Sequence, residues 1–166
     1  MATDSIPLCV VVHPGSLCGS ADFDLGREGG DALRKAVLED LASLSGHILV
    51  IHGELSDEIA AYPEVLEGLQ ALRSRSKGNG HSYTSIKACS LGAEDWEQDV
   101  ADALAKLLKR IGHMPSCLIT GAWFYGDGNG CVEAVADIAT RSGMTTKILP
   151  GAMLQIVPGQ ASGQTG

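Results

Sequence analysis

Short runs of consecutive apolar residues alternate along the chain with longer stretches in which apolar residues recur every three or four positions. Leu8-Cys-Val-Val-Val12 is apolar throughout and too short for a helix, which predicts a strand covered on both faces. His13 to Ser20 reads as a loop, because Pro14 lacks an amide donor and Gly15 and Gly19 admit unusual dihedrals. From Glu28 to Leu44 the residues Leu33, Val37, Leu41 and Leu44 recur at helical spacing, and Gly46 is the stop. His47-Ile-Leu-Val-Ile-His52 is a second strand. Pro63 opens a second helix that carries Leu66, Leu69 and Leu72 inward and ends in Arg73, Arg75 and Lys77. His81 to Cys89 alternates enough to be a third strand. The clearest helix runs from Glu94 to Ile111. Its stripe is Trp96, Val100, Leu104, Leu107, Leu108 and Ile111, with acids in the first turn, bases in the last, and Gly112 behind.

The same reading continues to Pro150. Cys117 to Ala122 is a fourth buried strand, and Gly126-Asp-Gly-Asn-Gly130 allows no regular element. Val132 to Thr140 places Val132, Val135, Ala136 and Ala139 on one helical face, and Gly143 stops it. Thr145 to Leu149 is a fifth strand, and Met153 to Val157 is read as a short edge strand. Strand and helix alternate, so the expected fold is an α/β three-layer sandwich around a mostly parallel sheet of five or six strands. Right-handed crossovers leave two common orders, 2-1-3-4-5 and the Rossmann-like 3-2-1-4-5. The second sets strands one and four side by side. Ligands in such sheets bind beyond the carboxyl ends of the strands, so a site would combine the His13–Ser20 loop with the Gly121–Cys131 loop. Residues 1–158 are expected to form one domain, and 159–166 a flexible tail rich in Gly, Ser and Gln.

Composition narrows the partners. The chain has 166 residues, 45% of them hydrophobic, and a formal net charge of −8. Ten acidic and three basic residues lie in 1–60, against ten and nine in 61–166. An acid excess argues against nucleic acid and against anionic membrane surfaces, which need a basic footprint. No apolar run approaches the length of a membrane span, and the first residues lack the basic start and apolar core of a secretory signal, so a cytoplasmic location is expected. Five cysteines without a Cys-x-x-Cys pair fit reduced thiols. Cys9, Cys89 and Cys117, at predicted strands, are read as small buried hydrophobes. The spacing of Cys9, His13 and Cys18 matches no standard zinc site, so neither metal nor cofactor is expected.

Cys131 falls in the first turn of a helix that follows a glycine-rich loop. Unpaired amide N–H groups and the helix dipole favour an anion there or lower a thiol pKa. It is therefore a candidate nucleophile, against the plain alternative of a small residue packing a helix onto a sheet. Ser85-Ile-Lys87, the long helix after it, the strand ending Ile-Thr-Gly121, Cys131-Val132 opening the next helix, and Arg-Ser-Gly-Met-Thr-Thr-Lys-Ile-Leu-Pro-Gly-Ala after that helix together resemble the isochorismatase-like cysteine hydrolases. The resemblance covers roughly the second half of the chain. It implies a nucleophilic Cys131, a supporting Lys87 and cleavage of an amide or ether-like bond in a small molecule. Two features depart from it: His13 stands where the family has an aspartate, and the loop from Gly121 to Cys131 is longer.

His13 is the candidate base, since imidazole titrates near neutrality, or else a histidine tied to loop backbone. Lys87 either lowers the thiol pKa and orients substrate, or reaches solvent from a strand end. Ser16, Trp123, Tyr125, Gly128 and Gly130 are the candidate substrate-binding residues. Gly126–Gly130 could hold a phosphate on its amides, although Asp-Gly and Asn-Gly are ordinary turn sequences. The run Trp123-Phe-Tyr125 suits a pocket wall or a subunit contact, and a homo-oligomer is expected from it. Two further readings stand beside the hydrolase: a non-catalytic binding or assembly protein on the same fold, and a flavodoxin-like phosphate or nucleotide binder.

Overall fold

The computed structural model describes residues 6–53, 55–89 and 95–154. Five strands form one sheet: β1 (Leu8–Val12), β2 (His47–His52), β3 (Tyr83–Lys87), β4 (Cys117–Gly121) and β5 (Thr146–Ile148). Their order is β3-β2-β1-β4-β5, and every pairing is parallel. This is the Rossmann-like order expected, with β1 central and Val12 paired to Ile51 on one side and Gly121 on the other. Among the described residues four helices cover the sheet: α1 (Gly19–Ser43), α2 (Pro63–Gly78), α3 (Trp96–Ile111) and α4 (Cys131–Arg141). No helix among the described residues is long and apolar enough to cross a membrane.

Alternation along the central strands builds two cores. Leu8, Val10 and Val12 join Leu49, Ile51 and Ile119 under α3 and α4, whose Trp96, Val100, Leu104, Leu107, Val132, Val135 and Ala139 close that layer. Cys9 and Val11 join Ile48 and Val50 on the other face, under Leu33, Val37 and Leu41 of α1 and Val65, Leu69 and Leu72 of α2. Every β1 side chain is fully buried. A strand apolar in consecutive positions requires helices on both faces, and the chain supplies them.

Several boundaries differ from the sequence reading. Helix α1 begins at Gly19, inside the expected loop, and only Pro14–Leu17 intervenes as a 3-10 turn. It is two helical pieces joined at Gly26, whose φ of 78° is open to glycine. Arg34, buried on the second piece, ties the first piece back. Its Nη1 donates to the carbonyls of Leu17 (2.9 Å) and Cys18 (3.3 Å) and lies 2.8 Å from Asp22, while Nη2 reaches Asp31. The Arg34 guanidinium also sits 5.0 Å from the centre of the Tyr62 ring, whose hydroxyl donates to Asp22. In α2, Val65 takes a buried position and Leu66 is half-buried. The expected last strand is not seen where residues are described: Met153 and Leu154 belong to a 3-10 turn (Ala152–Leu154) and are exposed, and residues 155–157 lie outside the described chain, as does the tail. Among the described residues the sheet has five strands.

A second polar clasp crosses the α1 layer. Buried Asp40 accepts hydrogen bonds from the Thr120 hydroxyl (2.6 Å) and from the amides of Gly151 (3.0 Å) and Ala152 (3.1 Å). One carboxylate thereby joins α1, β4 and the turn after β5.

Candidate functional site

The carboxyl edge of the sheet gathers the residues with chemical potential. β1 ends at Val12, and His13 turns out of the strand in the left-handed region (φ 45°, ψ 59°), its amide still donating to Ile51 (2.8 Å). The His13 ring lies over the ends of β2 and β3. Nε2 is 2.8 Å from the carbonyl of Ala88, and the ring centre is 5.6 Å from that of Trp96 at the start of α3. A Cβ at Gly53 would come within 3.2 Å of the imidazole, so the glycine after β2 leaves room for it. A carbonyl only accepts, so Nε2 carries the proton and the neutral ring has its basic lone pair on Nδ1. The ring is thus buried, oriented and in a fixed tautomer. Ser16 stands in the turn behind it, half-buried, its amide donating to the His13 carbonyl (3.0 Å).

His52, at the end of β2, completes a pair the sequence reading passed over. It is half-buried, and its Nδ1 is enclosed without a hydrogen-bond partner among the described residues. Burial, and then the neighbouring His13, lowers its pKa below the usual histidine value. The signal was present in the sequence, since one histidine directly follows β1 and another closes β2.

Lys87 pairs with His52 in the sheet and is exposed. It borders an open groove of about 400 Å³ between the β3 edge and α3, with Thr84, Ile86, Asp99, Asp102 and Lys106. The next residue but one, Cys89, is half-buried, where a fully buried small hydrophobe was expected. The strand ends at Lys87, two residues before it, so Cys89 lies outside the sheet's covered interior.

Cys131 is the first residue of α4 and half-buried at the rim of the core shared by Val12, Ala88, Trp96 and Phe124. The other three cysteines are fully buried. Burial raises the thiol pKa of Cys9 to about 11 and that of Cys117 to about 12, and burial with the nearby charge of Glu58 raises Cys18 to about 12. Those three are packing residues.

The loop before α4 is organised by Glu133. Its carboxylate accepts the amides of Tyr125 (2.7 Å), Gly128 and Gly130 (3.1 Å), and Asp127 accepts the amide of Asn129 (2.9 Å). Four amides of the glycine-rich segment are therefore donated to the protein's own carboxylates. A Cβ at Gly130 would strike the Trp123 carbonyl and Glu133, which explains the glycine. The Ala122–Trp123 peptide is cis. The three aromatics are half-buried: Trp123 packs on the α1–α2 core and Phe124 on the α3–α4 core. Burial, and then Cys131, Asp24, Asp127 and Glu133, raises the Tyr125 pKa, so its hydroxyl remains a proton donor.

The structure thus brings His13 together with Ala88 and Trp96, sets Lys87 at the rim of a groove on α3, and places Cys131 with the aromatic loop beyond β4. Among the described residues no group of three or more His, Cys, Asp and Glu is arranged to hold a metal ion. These features define an α/β protein with a parallel sheet and a histidine- and cysteine-bearing carboxyl edge. Comparison with family models, with curated proteins and with solved structures gives no match.

Proposed function

We propose that this chain is a cofactor-independent hydrolase of a small molecule carrying an amide or related bond, with Cys131 as nucleophile and His13 as base. The observation that carries the reading is the position of Cys131 as the opening residue of α4, half-buried at the strand-carboxyl edge that also holds an oriented imidazole. In such a reaction Nδ1 of His13 takes the thiol proton and Cys131 sulfur attacks the carbonyl. The thioester forms as the amine leaves with that proton. Water, deprotonated by the same nitrogen, then releases the acid and restores the thiol. Ala88 fixes the base through Nε2 in the way a third residue orients histidine in a nucleophilic triad. Lys87, exposed on the β3–α3 groove, would act only through its charge, and Ser16, Trp123 and Tyr125 are the substrate contacts the reading carries over. Gly128 and Gly130 enter only as wall, because their amides serve Glu133.

That last fact favours a second reading over the phosphate binder: a binding or assembly protein that keeps the fold without the reaction. The amides of Tyr125, Gly128 and Gly130, which the loop would offer an anion, are taken by the Glu133 carboxylate. Alkylation with iodoacetamide at about pH 6, well below the pKa of an ordinary thiol, separates the two. The hydrolase predicts that Cys131 is modified first by peptide mapping. It also predicts that Cys131→Ser abolishes turnover of small amides in a substrate screen while thermal stability is nearly unchanged. An unreactive Cys131 with a marked stability loss on substitution would assign it to packing.

A further inference from the structure

We infer that the β3 edge and the adjoining face of α3 form a self-complementary surface that joins two copies of this chain about a two-fold axis. The backbone comes first. Ser82 accepts from Ile48 (2.8 Å) and Ala88 donates to His52 (2.9 Å). By the alternation of a parallel ladder, Thr84 and Ile86 then direct their amide and carbonyl groups to β2. Tyr83, Ser85 and Lys87 turn theirs to the open edge, where Ser85 and Lys87 are exposed. Among the described residues no strand pairs with this row, and an edge of this kind is a template for another strand. The opposite edge, β5, has three residues and runs into the turn clasped by Asp40.

The occupant is argued from charge. The groove beside β3 has an apolar floor of Ile86 and Leu107, and its α3 wall carries Asp99 and Asp102 toward the start of the helix and Lys106 and Arg110 toward its end. Ala103, small and half-buried, lies midway. An antiparallel β3 pair centred on Ser85 sets Tyr83 opposite the partner's Lys87 and Thr84 opposite the partner's Ile86. All outward amides and carbonyls then find partners. The two α3 helices must run antiparallel, so the acidic half of each meets the basic half of the other, twice, by symmetry. A second copy meets all these demands with one contact; the lone lysine of the strand lies at its end, opposite an uncharged tyrosine.

The test uses the full chain in sedimentation equilibrium, with two exposed-surface variants, Lys106→Glu/Arg110→Glu and Asp99→Lys/Asp102→Lys. The wild type is expected to dimerise. Each variant alone faces like charge twice and shifts to monomer, whereas a mixture of the two restores dimer. Ser85→Pro removes an outward-facing donor and no ladder bond, so it should also give monomer with unchanged circular dichroism. If Ser85→Pro fails to fold, the charge-reversed pair decides alone. A wild type that stays monomeric at its highest soluble concentration overturns the inference. So does a dimer that ignores the charge reversals, or a mixture that recovers none.

Discussion

Asp40 shows how much one buried carboxylate can organise. It satisfies a hydroxyl and two amides that come from β4 and from beyond β5. Asp40→Ala leaves all three donors enclosed without an acceptor and is expected to cost about 2–4 kcal/mol in urea unfolding. Asp40→Asn keeps one acceptor oxygen but aims an NH2 group at other donors, and should fall between the two. The histidines give a second prediction at this scale. His47 accepts the Ser82 amide at Nδ1 (3.1 Å), and its pKa is lowered by burial and then by His81 and His113. His52 is lowered as well, by burial and then by His13. In both, the folded value lies below the unfolded one, about 6.5, so the unfolded chain binds more protons as pH falls. The contribution is complete above about pH 6.5 and is lost as pH falls through the lowered folded values. Denaturation midpoints should decline on that side, and His47→Gln should flatten the decline. A midpoint that rises on mild acidification would contradict it.

Element α1 is where pattern and structure part. Its first piece, Gly19 to Leu25, has no apolar stripe to announce it: Phe23 is 89% exposed and Leu25 only half-buried. It is held by Arg34 and by a close approach at Gly30, where a Cβ would run into the Asp22 carboxylate and crowd its backbone. Gly30→Ala therefore sets a helix-propensity gain of about 1 kcal/mol against a clash of about 1–3 kcal/mol, and net destabilisation is expected. Gly78→Ala is its control. A Cβ there meets nothing, and the same change should be neutral or stabilising by up to about 1 kcal/mol. Paired thermal melts of the two variants check the sign of each.

At the scale of the molecule, what could be read in advance follows from how local each cause is. β1, β2 and β4 declare themselves because strands covered on both faces are apolar in consecutive positions. α3 does so through its stripe and charged ends, and the Cys131 helix start through the glycines before it. The link from His13 to Ala88 spans 75 residues and has no local signature. The grip of Glu133 on the loop was closer to hand, since a glutamate three residues into a helix commonly reaches back to the entering amide. Four parallel pairings join strands distant in sequence, so folding should be slower than for a helical bundle of this length.

The clasp around Asp40 reaches the protein's response to solvent exchange. The amides of Gly151 and Ala152 lie past the last strand, where short turns ordinarily open by fraying and trade hydrogen for deuterium quickly. Bound to a buried carboxylate in the last turn of α1, they can open only when that end of α1 leaves the sheet. They should exchange as slowly as the amides inside β1, so two protected positions in an otherwise fast segment would report the unfolding of the whole.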